Sequence, residues 1–150
     1  MFDNWNRLYA MLYRDEKLKQ LLLIPDSDFF KPALFRDKYF INSQKADAVI
    51  DNTVDCRVIF YQSAMTETGN ERVQKQAVVF EIMVKRTHLY DVSDNAFVRR
   101  DKEIAERIYT ILSRKYLYGF QLRPMNKGDL EPSSEGYSRY MTAFEYKQVF

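Results

Sequence analysis

The sequence contains few of the residues from which reactive sites are usually built. Its 150 residues include one cysteine, Cys56, and one histidine, His88. A zinc site needs about three or four Cys, His or carboxylate ligands at suitable spacing, and that spacing is absent. A single cysteine excludes an internal disulfide and favours synthesis in a reducing compartment. Catalysis by a Cys–His pair is disfavoured because Cys56 lies on the apolar side of a predicted strand, where a thiol usually packs as a small hydrophobe.

Glycine is also scarce, and its positions exclude phosphate-binding loops. The four glycines are Gly69, Gly119, Gly128 and Gly136. They form neither a phosphate-cradling cluster followed by Lys nor the Gly-x-x-Gly loop of a KH-type RNA-binding module. Asp26 and Asp28 flank Ser27, but the glycine and closing glutamate of a calcium loop are missing. The sequence therefore predicts no catalytic residue, no metal site, no cofactor and no enzymatic activity.

Long apolar runs and a surplus of one charge are absent too. The longest run of apolar and aromatic residues covers six residues, 8–13, far short of a membrane span. The 23 Lys and Arg residues nearly balance the 21 Asp and Glu residues, and the basic ones are scattered. We therefore expect neither membrane insertion nor tight, sequence-specific nucleic-acid binding.

Aromatic residues, in contrast, are abundant, with 11 Phe and 11 Tyr. One interpretation is a well-filled core. The other is a protein interface, where Tyr is enriched because its ring can be buried while its hydroxyl finds a partner.

The N-terminal third combines two helices with an aromatic segment. Trp5, Leu8 and Leu12 recur at helical spacing, and this stripe stops near Arg14. Asp15 is then the predicted N-cap of a short second helix that ends before Pro25. Residues 24–53 show no clear period and are expected to form an extended arm with one short strand.

The remaining sequence alternates between strands and one long helix. Residues 54–61 and 77–86 show strand alternation and predict a hairpin around a polar loop, 63–74. Residues 96–116 predict a helix capped by Asp91, Ser93 or Asp94, and Gly119 suits the point where the chain leaves it. Residues 118–122 predict a third strand, 126–136 a turn and 137–149 a long final strand. The expected fold is a single α+β domain in the order α-β-β-α-β-β, whose helices pack on one face of a four-stranded, mostly antiparallel sheet.

This order of elements resembles a known family over residues 4–148. The similarity includes Leu-Tyr-Arg-Asp-Glu-Lys-Leu-Lys-Gln-Leu-Leu at 12–22, the polar loop 63–74 and Ile-Ala-Glu-Arg-Ile at 104–108. It ends in Gly-Tyr-Ser-Arg-Tyr-Met-Thr-Ala-Phe-Glu-Tyr at 136–146. In element order and hydrophobic pattern the chain is similar to the tail terminator (tail completion) proteins of long-tailed bacteriophages and to related proteins at the head–tail joint.

The resemblance implies a structural virion protein of the tail or neck, made in the host cytoplasm. Such a protein forms a ring, commonly a hexamer, that caps the last ring of the tail tube, stops its polymerisation and joins it to the head connector. The implied partners are other copies of the chain, the tail-tube protein and the head-completion or connector protein, and DNA passes through the ring.

Three segments are predicted to contact these partners. They are the aromatic arm (Phe29, Phe30, Phe35, Tyr39, Phe40), the hairpin tip (Met65, Glu67, Asn70, Arg72) and the exposed side of the last strand (Arg139, Met141, Glu145, Lys147). Each has a local alternative: aromatics that cover a sheet edge, a mobile loop and a solvated strand face. Two other functions also fit the sequence. One is a different neck, head-closure or tube component of a phage or secretion machine; the other is a monomeric protein-binding module or small enzyme whose site forms only in three dimensions.

Overall fold

The computed structural model describes residues 2–42, 54–67, 73–91, 97–117, 120–132 and 136–149. Within these ranges the helices are α1 (Phe2–Tyr13), α2 (Glu16–Leu21), the short α3 (Pro32–Leu34) and α4 (Arg100–Leu112). The strands are β1 (Phe40–Asn42), β2 (Cys56–Glu67), β3 (Val73–Lys85), β4 (Tyr116–Leu117), β5 (Phe120–Gln121), β6 (Arg123–Leu130) and β7 (Tyr137–Val149). A π-helical turn, Phe35–Tyr39, joins α3 to β1, and a 3-10 turn, Arg86–His88, follows β3.

The central sheet is mixed, with the strand order β1-β2-β3-β7-β6. β1 runs parallel to β2, and the other neighbouring pairs are antiparallel. The α+β class is confirmed, but the prediction of four strands is wrong because the described sheet has five. The added strand β1 comes from the aromatic arm, where Phe40 lies opposite Val58. The sequence predicted a short strand in this arm, but three residues show too little alternation to place it in the sheet.

The helices pack on one face of the sheet, as predicted. Trp5 and Tyr9 of α1 each place a ring 5.4 Å from that of Phe60 on β2. From α4, the ring of Tyr109 lies 6.5 Å from that of Phe144 on β7. Trp5, Phe60 and Phe144 belong to one apolar core between the helices and the sheet, and Tyr9 packs against it, whereas Tyr109 is partly exposed at its edge. None of the described helices is long and apolar enough to cross a bilayer.

The break between α1 and α2 is also confirmed. Asp15 is the N-cap of α2, and its carboxylate accepts a 2.8 Å hydrogen bond from the Leu18 amide. At the other end, the amides of Leu23 and Ile24 bond back to the carbonyls of Gln20 and Lys19. This Schellman motif places Leu23 in the left-handed region, at φ 55°.

The aromatic arm is not extended where the structure describes it. Pro32 begins α3 because its fixed φ suits the first helical turn, and the π-helical turn then brings the chain back to the sheet. Phe35, Tyr39 and Phe40 are buried in the core, where Phe35 and Phe40 stack at 5.5 Å. The predicted short strand is present as β1, whereas residues 43–53 lie outside the described ranges.

The two hairpins differ from the predicted ones because backbone pairing extends polar segments into strands. β2 continues to Glu67 and β3 begins at Val73, so most of the expected loop 63–74 is strand. β3 pairs with β7 over its whole length, from Val73 to Lys85. Similarly, β6 occupies much of the expected turn 126–136. It is an exposed edge strand with Pro124 and Gly128, so it shows no apolar alternation.

Residues 118–122 were predicted as a strand of the central sheet, which is wrong for their described part. β5 pairs instead with β4 in a separate two-stranded hairpin. The final strand β7 has the predicted bounds.

Helix α4 is shorter than predicted at both ends. It begins at Arg100, and Phe97, expected on its apolar side, is 94% exposed. The predicted caps Ser93 and Asp94 lie outside the described residues, and Asp91 serves another role described below. The helix ends at Leu112, and Arg114 takes the left-handed conformation after it, at φ 59°. The predicted exit at Gly119 lies outside the described residues.

Candidate interaction surfaces

Cys56 and His88 were the two residues considered for nucleophilic catalysis, and the structure places one in the core and the other in an ion-pair contact. Cys56 is buried on the core side of β2, and this burial raises the pKa of its thiol to about 12. A thiol with this pKa stays protonated near neutral pH and is a poor nucleophile. His88 lies on the surface, where its Nδ1 is 2.9 Å from Asp91 Oδ2. Among the described residues, no group of three His, Cys, Asp or Glu side chains is arranged to hold a metal ion.

Asp91 and Arg100 connect the start of α4 to the end of α2. The Arg100 guanidinium is buried, donates to the Leu21 carbonyl at 3.0 Å and pairs with the Asp91 carboxylate. Burial acts to raise the pKa of Asp91, but hydrogen bonds from His88 and Arg100 outweigh it and lower that pKa. The network satisfies the buried guanidinium of Arg100 and connects the two helices.

The next residue, Asp101, is buried and fully paired. Its carboxylate accepts hydrogen bonds from Arg99 at 2.7 and 3.1 Å and from the Ser138 hydroxyl at 3.0 Å. Arg99 also contacts Asp129 of β6 at 2.8 Å. The cluster thus connects α4 to β7 and β6.

The structure divides the five predicted aromatic contacts into two groups. Phe35, Tyr39 and Phe40 belong to the core and offer no surface to a partner, which corrects their assignment as interface residues. Phe30 is 72% exposed, and Phe29 beside it is half-buried, with 5.1 Å between their ring centroids. Of the five, this pair stays accessible, and both residues lie on the turn between α2 and α3.

Lys19 holds the accessible pair in place. Its ammonium is buried and donates to the Phe29 carbonyl at 3.1 Å. It also lies over the rings of Tyr13, Phe29 and Phe30, at 4.2, 4.4 and 5.0 Å from their centroids. Each such cation–π contact is worth about 0.5–2 kcal/mol, more where water is excluded. The exposed ring of Phe30 is therefore anchored by the ring contacts of Lys19.

The first groove, which we call the acidic groove, runs between α2 and this turn and has a volume of about 590 Å³. Its apolar surface consists of Leu23, Ile24, Phe29 and Phe30, and its carboxylates are Glu16 and Asp26. Neither carboxylate forms an ion pair with any of the described residues. Apolar surface rimmed by unpaired charge is typical of a site for a protein partner.

A second groove, which we call the arginine groove, lies between α1 and α3 and has a volume of about 410 Å³. Tyr9, Tyr13 and Pro32 line its apolar part, with Arg14 and Arg36 at its edge. Arg36 already pairs with Asp37 at 3.1 Å, which reduces the net charge offered to a partner.

A third surface, which we call the basic corner, follows the C-terminal end of α4. Arg114, Lys115 and Tyr116 are exposed, Tyr116 by 60%. The backbone of Arg114 and Lys115 bonds to Leu122, which brings exposed Arg123 of β6 beside them. These four residues give a positive surface around one aromatic ring.

The other two predicted surfaces are less open or only partly described. Asn70 and Arg72 lie outside the described residues, and for Met65 and Glu67 only the backbone of β2 is described. Arg139 is paired with buried Glu81 of β3 and so is engaged within the chain. On the same strand Met141 and Glu145 are half-buried, and Lys147 is exposed.

No protein-family model matches the sequence, and the search of curated proteins finds no significant relative. The accessible surfaces also include residues that the sequence did not single out. Glu16, Asp26 and the basic corner look like ordinary solvated charges in sequence, because nothing in their spacing shows which aromatic rings they adjoin. Phe29 and Phe30 were identified from aromatic content, and they remain the accessible part of that prediction.

Proposed function

We propose that this protein is a structural subunit that acts by binding other proteins, as a ring at the end of a bacteriophage tail tube. In this role it stops tube polymerisation and joins the tail to the head connector. The observation that carries the proposal is the anchored, exposed aromatic pair Phe29–Phe30 beside the acidic groove. Exposed aromatic rings in a groove with a charged rim are the usual anchors of protein interfaces.

The order of elements supports the same function. Helices α1 and α2 come first, then α3 and β1, the β2–β3 hairpin, helix α4, the β4–β5 hairpin and the β6–β7 hairpin. Apart from α3, β1 and the β4–β5 hairpin, this is the order in which the sequence resembles tail terminator proteins. A ring subunit also needs two different surfaces for its self-contact, and the acidic groove and the basic corner are two different accessible surfaces.

A second candidate function is a neck or head-closure component next to the same tube. The same surfaces favour it, since a neck protein, like a tail terminator, must bind a different partner on each of its two sides. The two functions differ in what their loss does to tube length.

The most direct test removes this chain from an assembling particle. If the protein is a tail terminator, electron microscopy will show abnormally long tubes without heads. Tubes of normal length that lack heads would assign it to the neck, and normal particles would exclude both functions. Complementation with the wild-type chain is the control.

A test on the isolated protein is a mass measurement over a range of concentrations, with and without tube protein. A ring subunit is expected to form a closed oligomer, alone or on the tube end. A chain that remains monomeric under both conditions would contradict the proposed ring and leave a monomeric binding module.

A further inference from the structure

The acidic groove and the basic corner lie toward different ends of α4. The Leu21 carbonyl, just before the groove residues Leu23 and Ile24, contacts Arg100 at the first residue of α4. The basic corner instead follows Leu112, the last residue of that helix. Asp15, the residue before the groove's Glu16, pairs with Arg107 in the middle of α4, so the groove follows the first part of this helix and the corner comes after its end. Within the described part of one chain, no ion pair joins the groove carboxylates to the corner cations.

The two surfaces are complementary in charge and in apolar content. The groove offers the carboxylates of Glu16 and Asp26 around exposed Phe30, and these form no ion pair with the described residues. Among those residues, the one cation at its rings is the ammonium of Lys19, which is buried. The corner offers Arg114 and Lys115 around Tyr116, and its cations likewise have no acidic partner within the described ranges. Opposite charges around one aromatic ring on each side are what two matched surfaces require.

We infer that the basic corner of one copy binds the acidic groove of the next copy. The inference rests on the proposed function, since it describes the self-contact of that ring. Tyr116 packs against Phe30, while Arg114 and Lys115 face Glu16 and Asp26. Because the two surfaces are different, the contact is head-to-tail and leaves a free groove at one end of the pair and a free corner at the other. Repetition of such a contact gives a ring when the rotation closes.

Cross-linking between one new cysteine on each surface gives the sharpest test. The native Cys56 does not interfere, because it is buried and burial raises the pKa of its thiol to about 12. One chain carries Phe30→Cys and the other carries Tyr116→Cys. A short bismaleimide is expected to join the two variants into a covalent dimer when they are mixed, and to join neither variant to itself. A chain with both substitutions is expected to give a ladder that ends at the number of subunits in the ring. Cross-linking of Phe30→Cys to itself would overturn the inference, because it would show a symmetric contact.

Charge reversal tests the same contact without added cysteines. Glu16→Lys with Asp26→Lys is expected to weaken self-association at least tenfold, and Arg114→Glu with Lys115→Glu is expected to do the same. A chain that carries all four reversals is expected to recover most of the affinity, because the opposite charges meet again. Glu131→Lys changes an exposed carboxylate elsewhere and is the matched control. Sedimentation velocity measures the association, and thermal denaturation verifies that each variant is folded.

The outcomes separate this inference from the proposed function. An oligomer whose affinity is unaffected by either pair of reversals would overturn the inference and leave the ring. A monomer under every condition, with and without tube protein, would overturn both. Cross-links from Phe30→Cys to tube protein alone would assign the groove to that partner and also overturn the inference.

Discussion

Arg107 and Asp15 are 92 positions apart, and their side chains form a bidentate ion pair between α4 and the start of α2. Arg107 Nε lies 2.9 Å from Asp15 Oδ1, and Nη2 lies 2.6 Å from Oδ2. The same carboxylate caps α2 through the Leu18 amide. One side chain thus fixes both where α2 begins and which side of α4 it contacts.

These two roles of Asp15 are separable by substitution. Asp15→Asn retains an N-cap and loses the ion pair, so we expect a loss of up to about 1 kcal/mol in the free energy of unfolding. Asp15→Ala loses both and should cost about 1–2 kcal/mol. Arg107→Ala should resemble Asp15→Asn. Urea denaturation measures each value, and equal losses for the Ala and Asn variants would contradict the capping role.

Acid should destabilise the protein through Asp15 and Asp91. Burial acts to raise the pKa of Asp15, but hydrogen bonds from Arg107 and Leu18 outweigh it and lower the pKa below 3.8. Because the folded pKa is lower than the unfolded one, this stabilisation is present above about pH 4 and is lost as the pH falls through the folded value. Thermal denaturation between pH 7 and pH 2.5 should show this loss. In Asp15→Asn, the melting temperature should fall less steeply as the pH is lowered. An unchanged dependence on pH would contradict the link between Asp15 protonation and stability.

Truncation of Phe35 should lower the stability of the chain, whereas truncation of Phe30 should weaken its assembly. Phe35→Ala removes a buried ring that stacks on Phe40, so it should cost about 3–5 kcal/mol of stability. Phe30→Ala removes a ring that is 72% exposed and should change stability by no more than about 0.5 kcal/mol. If the proposed interface is right, only Phe30→Ala weakens assembly while the chain stays fully folded. The comparison needs denaturation and sedimentation measurements on the same samples.

Arg114→Gly should stabilise the isolated chain. Arg114 has φ 59°, a conformation that costs a residue with a Cβ about 1 kcal/mol and costs glycine almost nothing. Its side chain is exposed, so little packing is lost. Lys115→Gly, at the next exposed position, lacks this left-handed backbone and is the control, expected to be neutral or destabilising. Calorimetry at low protein concentration avoids any contribution from association.

Arg139 should contribute to stability, whereas Lys147 on the same strand should not. Arg139→Ala leaves the buried carboxylate of Glu81 without its ion-pair partner, at a cost of about 1–3 kcal/mol. Lys147 is exposed, so Lys147→Ala should stay within about 0.5 kcal/mol of wild type. Equal effects of the two substitutions would show that the Glu81–Arg139 pair is not a stabilising contact.

The sequence by itself determined the features that depend on local patterns. The N-cap at Asp15, the start of the second helix and the bounds of the final strand were all predicted, because capping and apolar alternation are properties of neighbouring residues. The α+β class followed from the same patterns.

The tertiary structure decided the features that depend on distant partners. β6 is a strand because β7 supplies its hydrogen bonds, and its own residues give no apolar alternation. Phe35, Tyr39 and Phe40 are core residues, whereas Phe30 is accessible, because the turn through α3 directs one part of the arm into the protein. Sequence spacing cannot distinguish these rings, since burial is set by what other segments place around each one. For the same reason, only the folded chain brings Glu16 and Asp26 into one groove with Phe30.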